Sequence, residues 1–126
     1  MREVLIRSSE SVLCLAEVAE NPWTRCWGLL GRKGLPENRG LLIRPCKSVH
    51  TFFMRFPIDV VYLTTDNTVA KTCSRLHPFR FSAGGRQAHS VLELPAGLLN
   101  RIGIVVGEKL VIALAAKEGA DNSGRG

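Results

Sequence analysis

The chain has 126 residues, enough for one folded unit that buries roughly two thirds of its unfolded surface. At 45% hydrophobic and 22% charged it is too apolar for disorder over most of its length, and no run reaches the roughly 18 apolar residues of a membrane-spanning helix. A formal charge of +6 points away from cationic partners and toward anionic ones.

Residues 2–7 and 11–18 are rich in branched side chains and flank Ser8, Ser9 and Glu10, so they read as two strands around a short turn. In 21–31, Asn21 can cap and Pro22 suits a first helical position, while Trp23, Cys26, Trp27 and Leu30 recur at helical spacing before Gly31. The expectation is a short amphipathic helix whose two tryptophans anchor it to a sheet. A Gly/Pro/Asn loop follows, then a strand at 40–44.

Residues 49–54 and 59–63 read as strands that a four-residue loop would join into a hairpin, with Met54 opposite Asp59 and His50 opposite Leu63. After a turn at 64–67, residues 68–76 form another strand, and 77–87 read as a long Gly-rich connection carrying basic and aromatic residues. Strand 88–95 places Ser90, Leu92 and Leu94 on one side, and Val91 and Glu93 on the other. A turn or two of helix fits between Pro95 and Gly103, residues 108–114 close the sheet, and 115–126 lack a core pattern. The expected architecture is mainly β: one domain over 1–114, a sandwich or barrel with one short helix early and another late, then a flexible tail over 115–126.

The basic excess is uneven. Residues 21–56 hold Arg25, Arg32, Lys33, Arg39, Arg44, Lys47 and Arg55 against Glu37 alone, and 67–92 hold Lys71, Arg75, Arg80 and Arg86 with no acid. Cys14, Cys26, Cys46 and Cys73 show no metal-ligand spacing, His50, His77 and His89 share no i, i+2 or i, i+4 spacing, and no G-x-S-x-G nucleophile motif is present. No cofactor and no metal site are expected. Phe79 and Phe81, interleaved with Arg80, are few for a nucleic-acid stacking platform. The amino-terminal apolar stretch is interrupted by Glu17 and Glu20 and lacks signal-peptide organisation, so residence in the cytoplasm is the expectation.

Three segments, "TRCWGLLGR" at 24–32, "HTFFMRFPIDVVYL" at 50–63 and "VLELPAGLLNRIGIVVGEKL" at 91–110, together resemble the bacterial and archaeal family called domain of unknown function 192. The motifs match Arg25, Gly28, Leu29 and Arg32, then Pro57 and Asp59, then Glu93, Gly97 and Gly107. The resemblance implies a compact, mainly β domain and brings no reaction, cofactor or substrate with it. Many relatives have Trp-Met-Lys where this chain has His50, Thr51 and Phe52, which makes His50 a feature of this chain's version of the motif.

The leading expectation is a non-enzymatic binding or accessory module, taking a small anion or a protein partner in a basic-rimmed pocket. Its candidate ligand-binding residues are Arg25, Arg32, His50, Met54, Arg55, Asp59 and Glu93. The alternative is a hydrolase or transferase with Asp59 or Glu93 as general base. A nucleic-acid-binding protein is the third and weakest expectation.

Overall fold

The computed structural model describes residues 3–8, 12–19, 39–51 and 54–114. The helix expected over 21–31, with Arg25 and Arg32 nearby, and the tail over 115–126 lie outside the described residues. Nine strands and one helix are present among the described residues: β1 (Glu3–Arg7), β2 (Val12–Ala19), β3 (Arg39–Ile43), β4 (Ser48–His50), β5 (Ile58–Leu63), β6 (Val69–Leu76), β7 (Phe81–Ala83), β8 (Ser90–Pro95), α1 (Leu98–Ile102) and β9 (Val111–Leu114).

Seven strands form one sheet in the order β6-β5-β8-β3-β2-β1-β9, antiparallel except for the β2–β3 pair, while β4 and β7 form a separate two-stranded ribbon. The two ends of the large sheet meet. Thr68 and Lys109, just before β6 and β9, form an antiparallel bridge, and the Val69 and Leu110 amides donate to the Glu108 and Asn67 carbonyls at 2.8 and 2.9 Å. The sheet is therefore a partly closed barrel, which removes part of its exposed edge.

All six residues of β5, IDVVYL, are buried, as expected for a strand covered on both faces. Val61 and Leu63 face an inner core shared with Val4, Ile6, Ala16, Leu42, Leu92 and Leu98; Ile58, Val60 and Tyr62 face an outer cluster with Leu41, Ile43, Val49, Met54 and Val91. Each such side chain contributes about 1.5–3 kcal/mol of burial. The ribbon rests on the outer cluster through Val49, and the Tyr62 hydroxyl donates to Ser82 Oγ at 3.0 Å.

The expected hairpin between 49–54 and 59–63 is not formed. β4 pairs with β7 in the register Ser48↔Ala83, Val49↔Ser82, His50↔Phe81, and β5 pairs with β6 and β8. Two long partners that satisfy both hydrogen-bonding edges of β5 outweigh one short local one. Residues 77–87, expected to be a connection throughout, therefore contain the three-residue strand β7. Pro95 ends β8, and α1 begins only after Gly97, whose φ of 94° is in the left-handed region.

Candidate functional site

The pleat decides where the two candidate carboxylates go. Asp59 pairs with Leu94, and its neighbour Val60 pairs with Glu93, so the two acids lie on adjacent strands one step out of phase. Asp59 shares the inner side with Val61 and Leu63; Glu93 shares the outer side with Val60 and Leu41, its partners across the sheet. The sheet separates them, so they cannot act as a pair on one substrate.

Asp59 is fully buried and accepts three backbone hydrogen bonds. Its Oδ1 takes the Arg75 amide at 2.8 Å, and its Oδ2 takes the Gly97 and Leu99 amides at 3.0 and 2.8 Å. Arg75 lies where the register slips between Ile58↔Leu76 and Val60↔Cys73, a bulge in β6 with Arg75 at φ 54°. Gly97 and Leu99 are at the entry of α1, where no side-chain cap comes from Gly97 itself. One carboxylate thus satisfies the amides that a bulge and a helix start both leave open. All three partners are main-chain amides.

Glu93 is 6% exposed, and no hydrogen bond or ion pair reaches its carboxylate among the described residues. Burial pushes its pKa up to about 7. Tyr62, on the same face, is raised by burial as well. Cys14 is buried in the inner core, and desolvation lifts its thiol to about 12, which makes it an inert apolar filler.

Two adjoining surface depressions of about 380 Å³ each share Thr64, Arg86 and Gln87. One adds Lys47, Thr65, Ala88 and His89; the other adds Thr68, Val69, Ala70, Gly84 and Val106. Backbone bonds draw the segments together: Gly84 donates to Lys47 O, Cys46 to His89 O and His89 to Leu63 O, at 2.8, 2.8 and 2.7 Å. Among the described residues, no carboxylate lines the groove. Asp66 stands beside it, and the Thr64 and Thr68 hydroxyls donate to it at 2.5 and 2.9 Å, which holds it below the usual carboxylate range. The donors left to face a ligand are those of Lys47, Arg86, Gln87, His89 and Thr65.

Of the sequence candidates among the described residues, none lines this groove. His50 is exposed on the ribbon, Arg55 is exposed in the turn before β5, and Met54 is buried in the outer cluster on the side of Glu93, away from Asp59. Lys47, Arg86 and His89 were not candidates. Their only sequence signal is that Lys47 and Arg86 sit in connections of basic segments and His89 near the start of an expected strand, and their convergence depends on the β4–β7 pairing.

Fold and groove define a small, mainly β, barrel-like protein with a basic surface depression. The chain belongs to the DUF192 family, described as an uncharacterized ACR, which matches residues 4–112. It is 32% identical over 114 residues to a UPF0127 protein of Pyrococcus abyssi (strain GE5 / Orsay), covering 85% of this chain and 95% of that protein. A UPF0127 protein of Pyrococcus furiosus is 33% identical over 97 residues, covering 73% and 81%. Two solved structures share the fold. One, from Sinorhizobium meliloti 1021 and named as a candidate transcription regulator, has a TM-score of 0.78 at 21% identity and covers 88% of this chain and 92% of its own. The other, a protein of unknown function from Novosphingobium aromaticivorans, has a TM-score of 0.75 at 20% identity and covers 86% and 83%. Among the described residues, no helix is long and apolar enough to cross a membrane.

Proposed function

We propose that the protein is a non-enzymatic binding module that takes a small phosphate-bearing anion in the groove of Lys47, Arg86 and His89. The observation that carries this reading is the lining itself: two cations, an imidazole, an amide and three threonine hydroxyls, with no carboxylate among the described residues that line it. Such a set supplies charge-assisted donors to an oxyanion, and a guanidinium can bind two of its oxygens at once. Arg55, exposed in the turn before β5, adds to the basic surface of the molecule. A general-base reading gains no support from Asp59, whose two oxygens are taken up by three amides.

Titration of the full chain with inorganic phosphate and pyrophosphate, followed by amide chemical shifts, tests the reading. Shifts are expected at Lys47 and at 86–89, and Arg86→Gln should weaken binding about tenfold, the loss of one charge-assisted pair. Unmoved resonances at millimolar pyrophosphate would rule the groove out.

A further inference from the structure

We infer that the ligand of the basic groove is an organic phosphate ester, whose uncharged apolar body lies along Ala70 and Val106 while its phosphate meets Lys47, Arg86 and His89. This rests on the groove's reading as a phosphate site and adds what the phosphate is attached to. Each of the two depressions measures about 380 Å³, within the roughly 300–1,000 Å³ of small-molecule sites. A lone oxyanion in one of them leaves the other unfilled.

The two depressions differ in chemistry. They share Thr64, Arg86 and Gln87; beyond these, Lys47 and His89 bring polar donors to one, whereas Val69, Ala70 and Val106 line the other with no further cation among its described residues. Val69 is buried and Ala70 half-buried, but Val106 is 61% exposed. A single valine in water is ordinary, and its mounting is what marks this one. Residues 105–108 form a tight turn: the Glu108 amide donates to Val105 O at 3.2 Å, the Val105 amide donates to Glu108 Oε1 at 3.3 Å, and Gly107 takes the left-handed position at φ 95°. The turn is fastened to the start of β6, where the Gly107 amide donates to Val69 O and the Val69 amide to Glu108 O, both at 2.8 Å. The seam that closes the barrel thus holds Val106 at the groove as a preset apolar contact.

Charge sets the orientation. The Thr64 and Thr68 hydroxyls both donate to Asp66, and Thr68 lines the apolar depression only, so a negative charge borders that half while Lys47 lines the other. The phosphate is steered toward Lys47 and an uncharged body toward Val106. With those two hydroxyls committed to Asp66, a body rich in hydroxyls gains little there, and an apolar one covers Val106, Ala70 and Val69.

The test is titration of the full chain with phenyl phosphate, glycerol 3-phosphate and inorganic phosphate, followed by amide chemical shifts. Phenyl phosphate is expected to bind about tenfold more tightly than the other two, from the apolar area it covers, and to move Ala70 and Val106 as well as Lys47 and 86–89. Val106→Ser should cut that preference about fivefold, Val106→Leu should keep it, and Arg86→Gln should weaken all three ligands alike. Phosphatidic acid vesicles present the same chemistry at a membrane: co-sedimentation with them over phosphatidylcholine vesicles would identify the ester as a lipid head, and phenyl phosphate binding without it a dissolved molecule. Equal affinity for the three ligands, with shifts at 86–89, would overturn the apolar body and leave the anion site standing. No binding of any of them removes both readings. A preference for phenyl phosphate that ignores Val106→Ser also overturns the assignment.

Discussion

Asp59 and Glu93 differ by one step of pleat, and their chemistry diverges accordingly. For Asp59→Asn, one side-chain oxygen becomes an NH2 group, so at least one backbone amide loses its acceptor and faces another donor. The expected cost is about 2–4 kcal/mol in urea unfolding, with phosphate binding retained by the folded fraction. A loss below 0.5 kcal/mol, on the order of an ordinary surface change, would show that the three bonds do not hold the bulge and helix together. Glu93 behaves in the opposite sense. Its folded pKa of about 7 stands above the ordinary 4.5, so between these values the folded state binds the extra proton and stability falls as pH rises. The penalty is absent below about 4.5 and complete above about 7, where it is of order 3 kcal/mol. Glu93→Gln should therefore be more stable than the parent at pH 8 and lose that advantage toward pH 4.5; a stability difference constant across this range would contradict the raised pKa that burial gives this carboxyl.

At the scale of elements, Gly84 ties the ribbon to the core. A methyl group there would overlap the ring of Tyr62 and sit 2.8 Å from Ala88 Cβ, whereas at Gly85 it would meet nothing within 4 Å. Gly84→Ala should cost about 1–3 kcal/mol by overpacking and disturb the groove that Gly84 lines. Gly85→Ala should cost roughly 1 kcal/mol of left-handed strain, so equal thermal midpoints for the two variants would refute the packing argument. Most strands could be read from the sequence because alternation and branched residues act locally: 2–7, 11–18, 68–76 and 88–95 all lie within a few residues of their observed bounds. Partner choice could not be read in the same way. β4 and β7 are three residues each, too short to carry a pattern, and β5, buried at every position, has no polar–apolar alternation to say which strands pair with it. The groove was hidden for the same reason, since its cations meet only once Lys47 and Gly84 are paired. Asp59 was visible as an acid in an apolar run, but its amide partners arise from a bulge and a helix start whose positions depend on register.

The whole molecule is held by pairings between distant segments, with β3 beside β8 and β1 beside β9, a topology that folds on the slow side for its length. Among the described residues the barrel is closed by the short contact at Thr68 and Lys109, while β5, β8 and β3 sit between covered faces. The β1–β9 register has a mechanical consequence. Val4 is paired with Leu114, so residue 3 and residue 114 leave the sheet side by side at the same end of an antiparallel pair. Tension applied between those two points would load the β1–β9 hydrogen bonds one at a time, peeling β9 away from Leu114 back toward Val111, instead of shearing the whole row together. A barrel with a well-buried centre would thus yield at low force from its seam.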